Sequence, residues 1–490
     1  MKGPQLRQVF EGNALAHWSS LTSLSVVTVG ADTFLFAASE ASAGMQSFRI
    51  SDTGSVSHAA STSLGGTYSW PDDLLPVTLN GDLRLLLPSD DSGATRMADV
   101  LASGGAQMSG LTGLASATTM TSVEVGGQTF LAAADSAGAH LRLYALNTNW
   151  TVKATDVKAD SDKTMLDGVN DLVSVTVGGK SFVLSSSPKE GGITAHEVTA
   201  AGKLILTDEL RPKDGLWVSG IASLHKVEVA GEQYVIAASN LSSSISVVRV
   251  NDLGVMFVQD QLNDDLTTRF HGVEDLAIFT KNDRTFIVAA GNDGGVSLLE
   301  LLPGGELYHH LSTEAEGWTP GAVASVEAVV RGDDVQIFLG RADMPGLVHL
   351  TLDMGNLGNR IQTTSGHSTL NGTNGGDLLI GGGARDVLNG GKGDDVLMGR
   401  GGGNHLTGGA GADVFVLAGN AGKDYIADFI RGEDRIDLSD WGMIYDPSVL
   451  TIVSSGTSAT LSWNGHTVIV QSGDDQSLKA DTWTADDFLF

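Results

Sequence analysis

Between Gly372 and Val416, a short acidic side chain or its amide recurs every nine residues: Asp377, Asp386, Asp395, Asn404 and Asp413. Two positions further on in each unit comes a large apolar residue: Leu379, Leu388, Leu397, Leu406 and Phe415. The five consecutive units read GTNGGDLLI, GGGARDVLN, GGKGDDVLM, GRGGGNHLT and GGAGADVFV, and 16 of the 40 residues from Gly372 to Gly411 are glycine. Oxygen-bearing side chains at even spacing, carried on glycine-rich turns, are the ligand type of a hard divalent cation, which takes six to eight oxygens. Two other chemistries of glycine-rich segments do not fit. A phosphate-cradling loop would be a single copy between a strand and a helix, and a flexible linker would hold no apolar residue at fixed phase.

The spacing also dictates how such residues must be positioned. Six glycine-rich residues can turn sharply and bring backbone carbonyls inward. The next three can form a short strand whose eighth-position side chain enters a shared core. Stacked turns then lie one strand spacing apart, about 4.8 Å. Two bare carboxylates at that distance repel by roughly 1 kcal/mol in water-like dielectric, and by more when shielded. A cation between them turns that repulsion into the main attraction.

This nonapeptide pattern resembles the RTX (repeats-in-toxin) family, whose units stack into a parallel β-roll that binds calcium. In that family two units make one full turn. The resemblance therefore implies calcium between Asp377 and Asp395, between Asp386 and Asn404, and between Asp395 and Asp413. Asn404 in place of a carboxylate and Ala384 in place of the fourth-position glycine imply that the middle pair is the weakest site. Asp394, at the variable fifth position, is expected to face solvent. Downstream, GKDYIADFIRGEDRIDLSDWG looks like the segment that closes the roll in serralysin-like proteins. Its Asp424, Asp428, Asp434 and Asp437 are expected either to ligate further calcium or to cap the roll. ATLSWNGHTVIVQ reads as a hairpin turning at Asn464-Gly465. The end, TWTADDFLF, is similar to the uncleaved C-terminal signals of type I secretion substrates.

The longer N-terminal part repeats with a different period. Valine-rich runs, a glycine-containing turn and a second apolar run recur, as in VEVGGQTFLAAA and VTVGGKSFVLSS. The residues just after that turn, Phe34, Arg84, Phe130, Phe182, Tyr234, Phe286 and Gln336, are 46 to 52 apart. Ten residues before each stands an apolar residue: Leu24, Leu74, Met120, Leu172, Leu224, Leu276 and Val326. One earlier stands a short oxygen-bearing one: Ser23, Asp73, Thr119, Asp171, Ser223, Asp275 and Ser325. A period near 50 with several strands per repeat is the mark of a propeller blade. The fold class expected is all-β: a seven-bladed β-propeller (residues 1–360), a linker (361–371), the nonapeptide β-roll (372–416), and a β-rich cap with the secretion signal (417–490). GPQLRQVFEG near the start could complete blade seven beside Gly346–Asp353, with GNRIQTTSG at Gly358–Gly366 as the competitor. The polar column is expected to bridge blades by accepting buried N–H groups, although a ligand site in the channel would use the same residues.

Composition bounds the rest. The chain of 490 residues carries 58 acidic against 29 basic side chains, a formal charge of −29, which repels nucleic acid and anionic lipid. Cysteine is absent, the N-terminus lacks an apolar secretory h-region, and no apolar run reaches the roughly 18 residues of a transmembrane segment. Alone, these features suggest a cytoplasmic protein. The resemblance to RTX proteins reverses that to export by a type I secretion apparatus, with the mature protein extracellular or at the cell surface. Catalytic signatures are missing: His196-Glu197 has no second histidine at helical spacing, and no Gly-x-Ser-x-Gly elbow occurs. The reading favoured is a secreted calcium-binding protein whose propeller recognises an extracellular glycan or surface protein, or assembles at a surface. Trp18, Trp70, Trp217 and Trp318 are candidates for a sugar-stacking rim. The alternative is a lactonase-like hydrolase or lyase working in the channel.

Overall fold

The computed structural model describes the chain except for residues 1–2, 11–19, 40–41, 65–73, 89–95, 315–320, 365, 420–421, 443, 445 and 490. Its contacts divide the chain into two units, largely residues 2–353 and residues 354–490.

The first unit is a seven-bladed propeller of four-stranded antiparallel sheets. Blade four shows the plan: Asp171–Val177, Lys180–Ser187, Gly192–Val198 and Leu204–Leu210 pair in chain order. The first two strands of a blade meet at a two-residue turn. In blade three that turn is Gly126-Gly127 with φ of 60° and 79°, the left-handed pair that a tight hairpin demands. First strands neighbour one another around the ring, including Val323–Arg331 of blade seven beside Leu21–Val29 of blade one. Apolar clusters straddle adjacent blades, so burial holds the ring together. The residue column after each turn has a specific seat. Phe34, Phe130, Phe182 and Tyr234 each pack on a left-handed glycine in the next blade, namely Gly104, Gly202, Gly254 and Gly305. A Cβ on any of those glycines would come within 3 Å of the ring.

Closure uses the N-terminus. Gln5–Phe10 pairs antiparallel with Leu347–Asp353 and becomes the outer strand of blade seven, and the Phe10 ring stands 4.9 Å from that of Phe48 in blade one. The competing segment is not in the propeller at all: Leu357–Gln362 pairs parallel with Gly376–Ile380.

The second unit is a parallel β-solenoid of about four turns. One sheet runs Leu357–Gln362, Gly376–Ile380, Val396–Met398, Val414–Val416, Arg435–Asp437 and Phe488–Leu489. The other runs Thr369–Asn371, Val387–Lys392, His405–Ala410, Asp424–Phe429 and His466–Ser472, then continues antiparallel into Ser458–Trp463 and Thr451–Ser455. Partners in the repeats are eighteen residues apart, as in Leu378↔Val396↔Val414, so two nonapeptides make a turn. Leu379, Leu388, Leu397, Leu406 and Phe415 are fully buried and form one core with Ile426, Ile436 and Phe488. Asn464-Gly465 turns the hairpin as expected, with φ of 45° and 90°.

The segment 361–371, expected to be a linker, is instead part of the solenoid. It holds the end of one strand and all of Thr369–Asn371, which pairs with Val387–Asn389. The roll therefore begins near Leu357. Its first two units, MGNLGNRIQ and TTSGHSTLN, keep the period, with Asn359 and Ser368 at the sixth position and Ile361 and Leu370 at the eighth.

Candidate metal centre

The sixth-position side chains form two ladders, one along each edge of the solenoid. On the first, the Asn359 N–H donates to Asp377 Oδ1 at 2.5 Å, the Asp377 N–H to Asp395 Oδ1 at 2.6 Å, the Asp395 N–H to Asp413 Oδ1 at 2.9 Å, and the Asp413 N–H to Asp434 Oδ1 at 2.9 Å. On the second, the Ser368 N–H donates to Asp386 Oδ1 at 2.6 Å, the Asp386 N–H to Asn404 Oδ1 at 2.9 Å, and the Asn404 N–H to Asp424 Oδ1 at 2.7 Å. Each carboxylate thus reaches back to the preceding turn. The predicted pairs Asp377 with Asp395, Asp386 with Asn404, and Asp395 with Asp413 are all successive rungs.

The four downstream aspartates separate into two roles. Asp424 and Asp434 extend the ladders across insertions of two and three residues, since they stand 20 and 21 positions after their rungs instead of 18. Asp428 accepts the N–H groups of Gly408 and Gly409, both at 2.9 Å, and Asp437 accepts from the backbone and hydroxyl of Ser439. These two cap turns. Asp394 is exposed and accepts the Ala412 N–H at 3.1 Å.

Second carboxylate oxygens carry the chemistry. Asp377 Oδ2 accepts from the backbone and hydroxyl of Thr373, Asp386 Oδ2 from the Gly382 N–H, and Asp434 Oδ2 from the Ile430 N–H. Asp395 Oδ2 is buried with no partner among the described residues. An unpaired buried carboxylate oxygen is costly. Burial pushes the Asp395 carboxyl up to about 7, with the Asp377 charge adding to it. Burial likewise pushes Asp413 up to about 8, reinforced by Asp434 and Asp395, and pushes Asp424 and Asp434 each to about 6. Asp428 and Asp437 are raised by burial as well.

The first-position glycines show what space the ladder leaves. At Gly372, Gly381 and Gly390, a Cβ would lie within 3 Å of two oxygens at once. One is the second carboxylate oxygen of the same unit, and the other is the carbonyl of Gly390, Gly399 or Gly408, two units on. At Gly399 the nearest atom is Asn404 Nδ2, standing where Asp395 and Asp413 present Oδ2 to Gly390 and Gly408. The Asn404 unit therefore offers one oxygen fewer. Among the described residues no three His, Cys, Asp or Glu side chains converge as a metal cluster. A cation here would take carboxylates in pairs and complete its shell with backbone carbonyls, a donor set that suits calcium and not a soft metal. The residues present fit that ion.

The shifted carboxyls give a pH prediction. Their folded pKa values lie above the unfolded value near 4, so the folded roll binds more protons than the unfolded chain between pH 4 and about 8. That contribution is complete below pH 4 and is lost as pH rises through about 7 for Asp395 and about 8 for Asp413. Without calcium, the roll should therefore be more protease-resistant at pH 5 than at pH 8. Calcium affinity should rise over the same interval. Equal resistance of the chelated protein at both pH values would contradict the assignment.

In the propeller channel three members of the polar column bridge blades, whereas Ser325 Oγ is buried with no partner among the described residues. Ser23 Oγ accepts the Leu74 N–H at 2.8 Å, Asp171 Oδ2 the Leu224 N–H at 2.6 Å, and Asp275 Oδ2 the Val326 N–H at 2.8 Å. Each joins one blade to the apolar column of the next. Glu327 does the same for the Val26 N–H at 3.2 Å, and burial pushes it and Asp171 up to about 7. His225 contacts Asp275 at 3.1 Å, but both Asp275 oxygens already accept backbone N–H groups. Asp73 and the rim candidates Trp18, Trp70 and Trp318 lie outside the described residues, and Trp217 is 70% exposed.

Residues 367–478 match the family model of the Peptidase M10 serralysin C-terminal domain, so a serralysin-type C-terminal domain occupies most of the second unit. No curated protein matches the chain significantly. Among solved structures, the chain is similar to BBS1N, crystallised in complex with ARL6DN, at 11% identity and TM-score 0.47, covering 72% of this chain and 98% of that one. It is similar to a protein from Lactobacillus plantarum at 14% identity and TM-score 0.45, covering 64% and 96%. It is also similar to the AlgE6R3 subunit of the Azotobacter vinelandii mannuronan C5-epimerase at 28% identity and TM-score 0.22, covering 26% and 80%.

Proposed function

We propose that this is a secreted calcium-binding protein in which residues 357–490 fold around calcium after export and the propeller serves as the recognition module. One observation carries the calcium reading: a ladder of buried aspartates that meet backbone carbonyls at first-position glycines, with Asp395 Oδ2 left without a donor. Asp377, Asp395 and Asp413 would hold calcium along one edge, with Asp434 extending the set. Asp386, Asn404 and Asp424 would hold it along the other. The bound ion would supply neutralisation of the stacked carboxylates, and the chain's own contribution is to hold those oxygens one turn apart. Export by a type I secretion apparatus is part of this reading, and the match of residues 367–478 to the serralysin C-terminal domain model supports it. A chain that cannot complete its C-terminal unit at low calcium stays unfolded for transport and folds outside.

The propeller's task in this reading is binding an extracellular glycan or surface protein, and Ser23, Asp171 and Asp275 of its channel column are engaged in joining blades. Calorimetric titration of chelated protein should show several calcium ions per chain, and magnesium should not replace them. A glycan array with the calcium-loaded protein tests the propeller. Stoichiometric calcium binding that is absent, or that magnesium reproduces, would sink the metal reading. An array without a single retained glycan would leave a surface protein as the partner.

A further inference from the structure

The propeller channel holds a cavity of about 330 Å³ lined by the first strands of blades two to five and by Thr129 of the second strand of blade three. That is near the small end of ligand pockets, which run from roughly 300 to 1,000 Å³. Its lining is unusual in its charges. Lys226, from blade five, and Glu124, from blade three, both face it, and neither has an ion pair or side-chain hydrogen bond among the described residues. Thr78, Ser122 and Thr129 line the same space with hydroxyls that are also unengaged among those residues.

An amine and a carboxylate that share a cavity without pairing are matched by a ligand that carries both charges in reverse. We propose that this cavity binds a small zwitterion, a free α-amino acid, with its carboxylate on Lys226, its ammonium on Glu124 and its remaining polar atoms on the hydroxyls. Lys226 is accessible to water, yet the surrounding protein lowers its pKa by desolvation alone. Lys226 and Glu124 are both solvent-exposed, so a ligand reaches them directly from water. In a chain with twice as many acids as bases, an amine with no ion pair among the described residues is free to meet an anionic group of a ligand. The unpaired Glu124 excludes a simple anion as the best complement, because such a ligand would meet an uncompensated like charge.

The inference rests on the propeller being a recognition module and is independent of the calcium sites. The test uses the full chain in calcium. The twenty L-amino acids are screened by thermal shift, and the tightest is measured by calorimetry beside lactate and ethanolamine, which carry one charge each. At least one amino acid should bind, with lactate and ethanolamine at least tenfold weaker. Lys226→Gln and Glu124→Gln should each weaken it at least tenfold while leaving the melting profile and calcium stoichiometry unchanged, since neither side chain is in the core. Binding of lactate or ethanolamine as tight as the amino acid, indifference to both substitutions, or no binding anywhere in the screen would overturn it. Such a failure would leave the glycan array and calcium titration as they stand, so it is distinguishable from failure of the broader reading.

Discussion

Chelation of calcium is expected to unfold residues 357–490 and to leave the propeller's strand signal largely in place. The roll cannot neutralise its own ladders. Asp395 and Asp413 are buried beside other carboxylates, and burial together with that repulsion disfavours their charged forms. The magnitude decides the outcome. A site occupied at a hundred times its Kd contributes about 2.7 kcal/mol. Three sites at that occupancy would contribute about 8 kcal/mol together, against the roughly 5–15 kcal/mol by which a domain is stable at all. Losing that much should lower the melting temperature of the C-terminal unit by on the order of 20 °C or more, or abolish its transition. The propeller's interblade clusters and closing strand contain none of the ladder residues. Calorimetry and limited proteolysis in calcium and in chelator would show it. A C-terminal transition that does not move would end the calcium assignment.

The second large effect separates residues that look alike in sequence. Asp395→Ala should remove two calcium ions, because Asp395 stands between Asp377 and Asp413 and is shared by both pairs. Asp386→Ala should remove one, already weakened because Asn404 presents Nδ2 where other units present a second carboxylate oxygen. Asp394→Ala should change stability by no more than about 0.5 kcal/mol, as expected at an exposed position. Asp395→Asn is the sharper test because its sign depends on the metal. The amide keeps an acceptor for the Asp377 N–H and removes a buried negative charge. It should therefore raise the melting temperature of the chelated roll at pH 8 by several degrees while lowering that of the calcium-loaded one. A substitution that destabilises both states equally would mean that Asp395 is a structural acceptor and nothing more. Counting bound ions calorimetrically in the four variants reads out the rest.

Much of this was legible in the chain itself. Every eighth-position residue from Leu379 to Phe415 is in the core, and the paired aspartates are successive rungs, because a solenoid's contacts follow its period. The propeller's anchor column was legible for the same reason, since blades one, three, four and five repeat the job of seating an aromatic residue on the next blade's glycine, and Gln336 of blade seven sits on Gly54 of blade one in the same way. The first turn of the roll was missed because Asn359 and Ser368 hold the sixth position without an aspartate. Their backbone N–H groups, which no side-chain motif records, are what Asp377 and Asp386 engage.

What the sequence determined alone is therefore whatever depends on spacing: the two periods, the core columns and the candidate ligands. What only the tertiary structure decided is whatever depends on pairing between distant segments. Gln5–Phe10 closes blade seven across more than 330 residues, Asp424 and Asp434 join the ladders across insertions that break the period, and Lys226 and Glu124 meet one cavity from blades that are not neighbours. Local periodicity carries no term for such encounters, because their free energy exists only once the ring and the solenoid have brought the partners together.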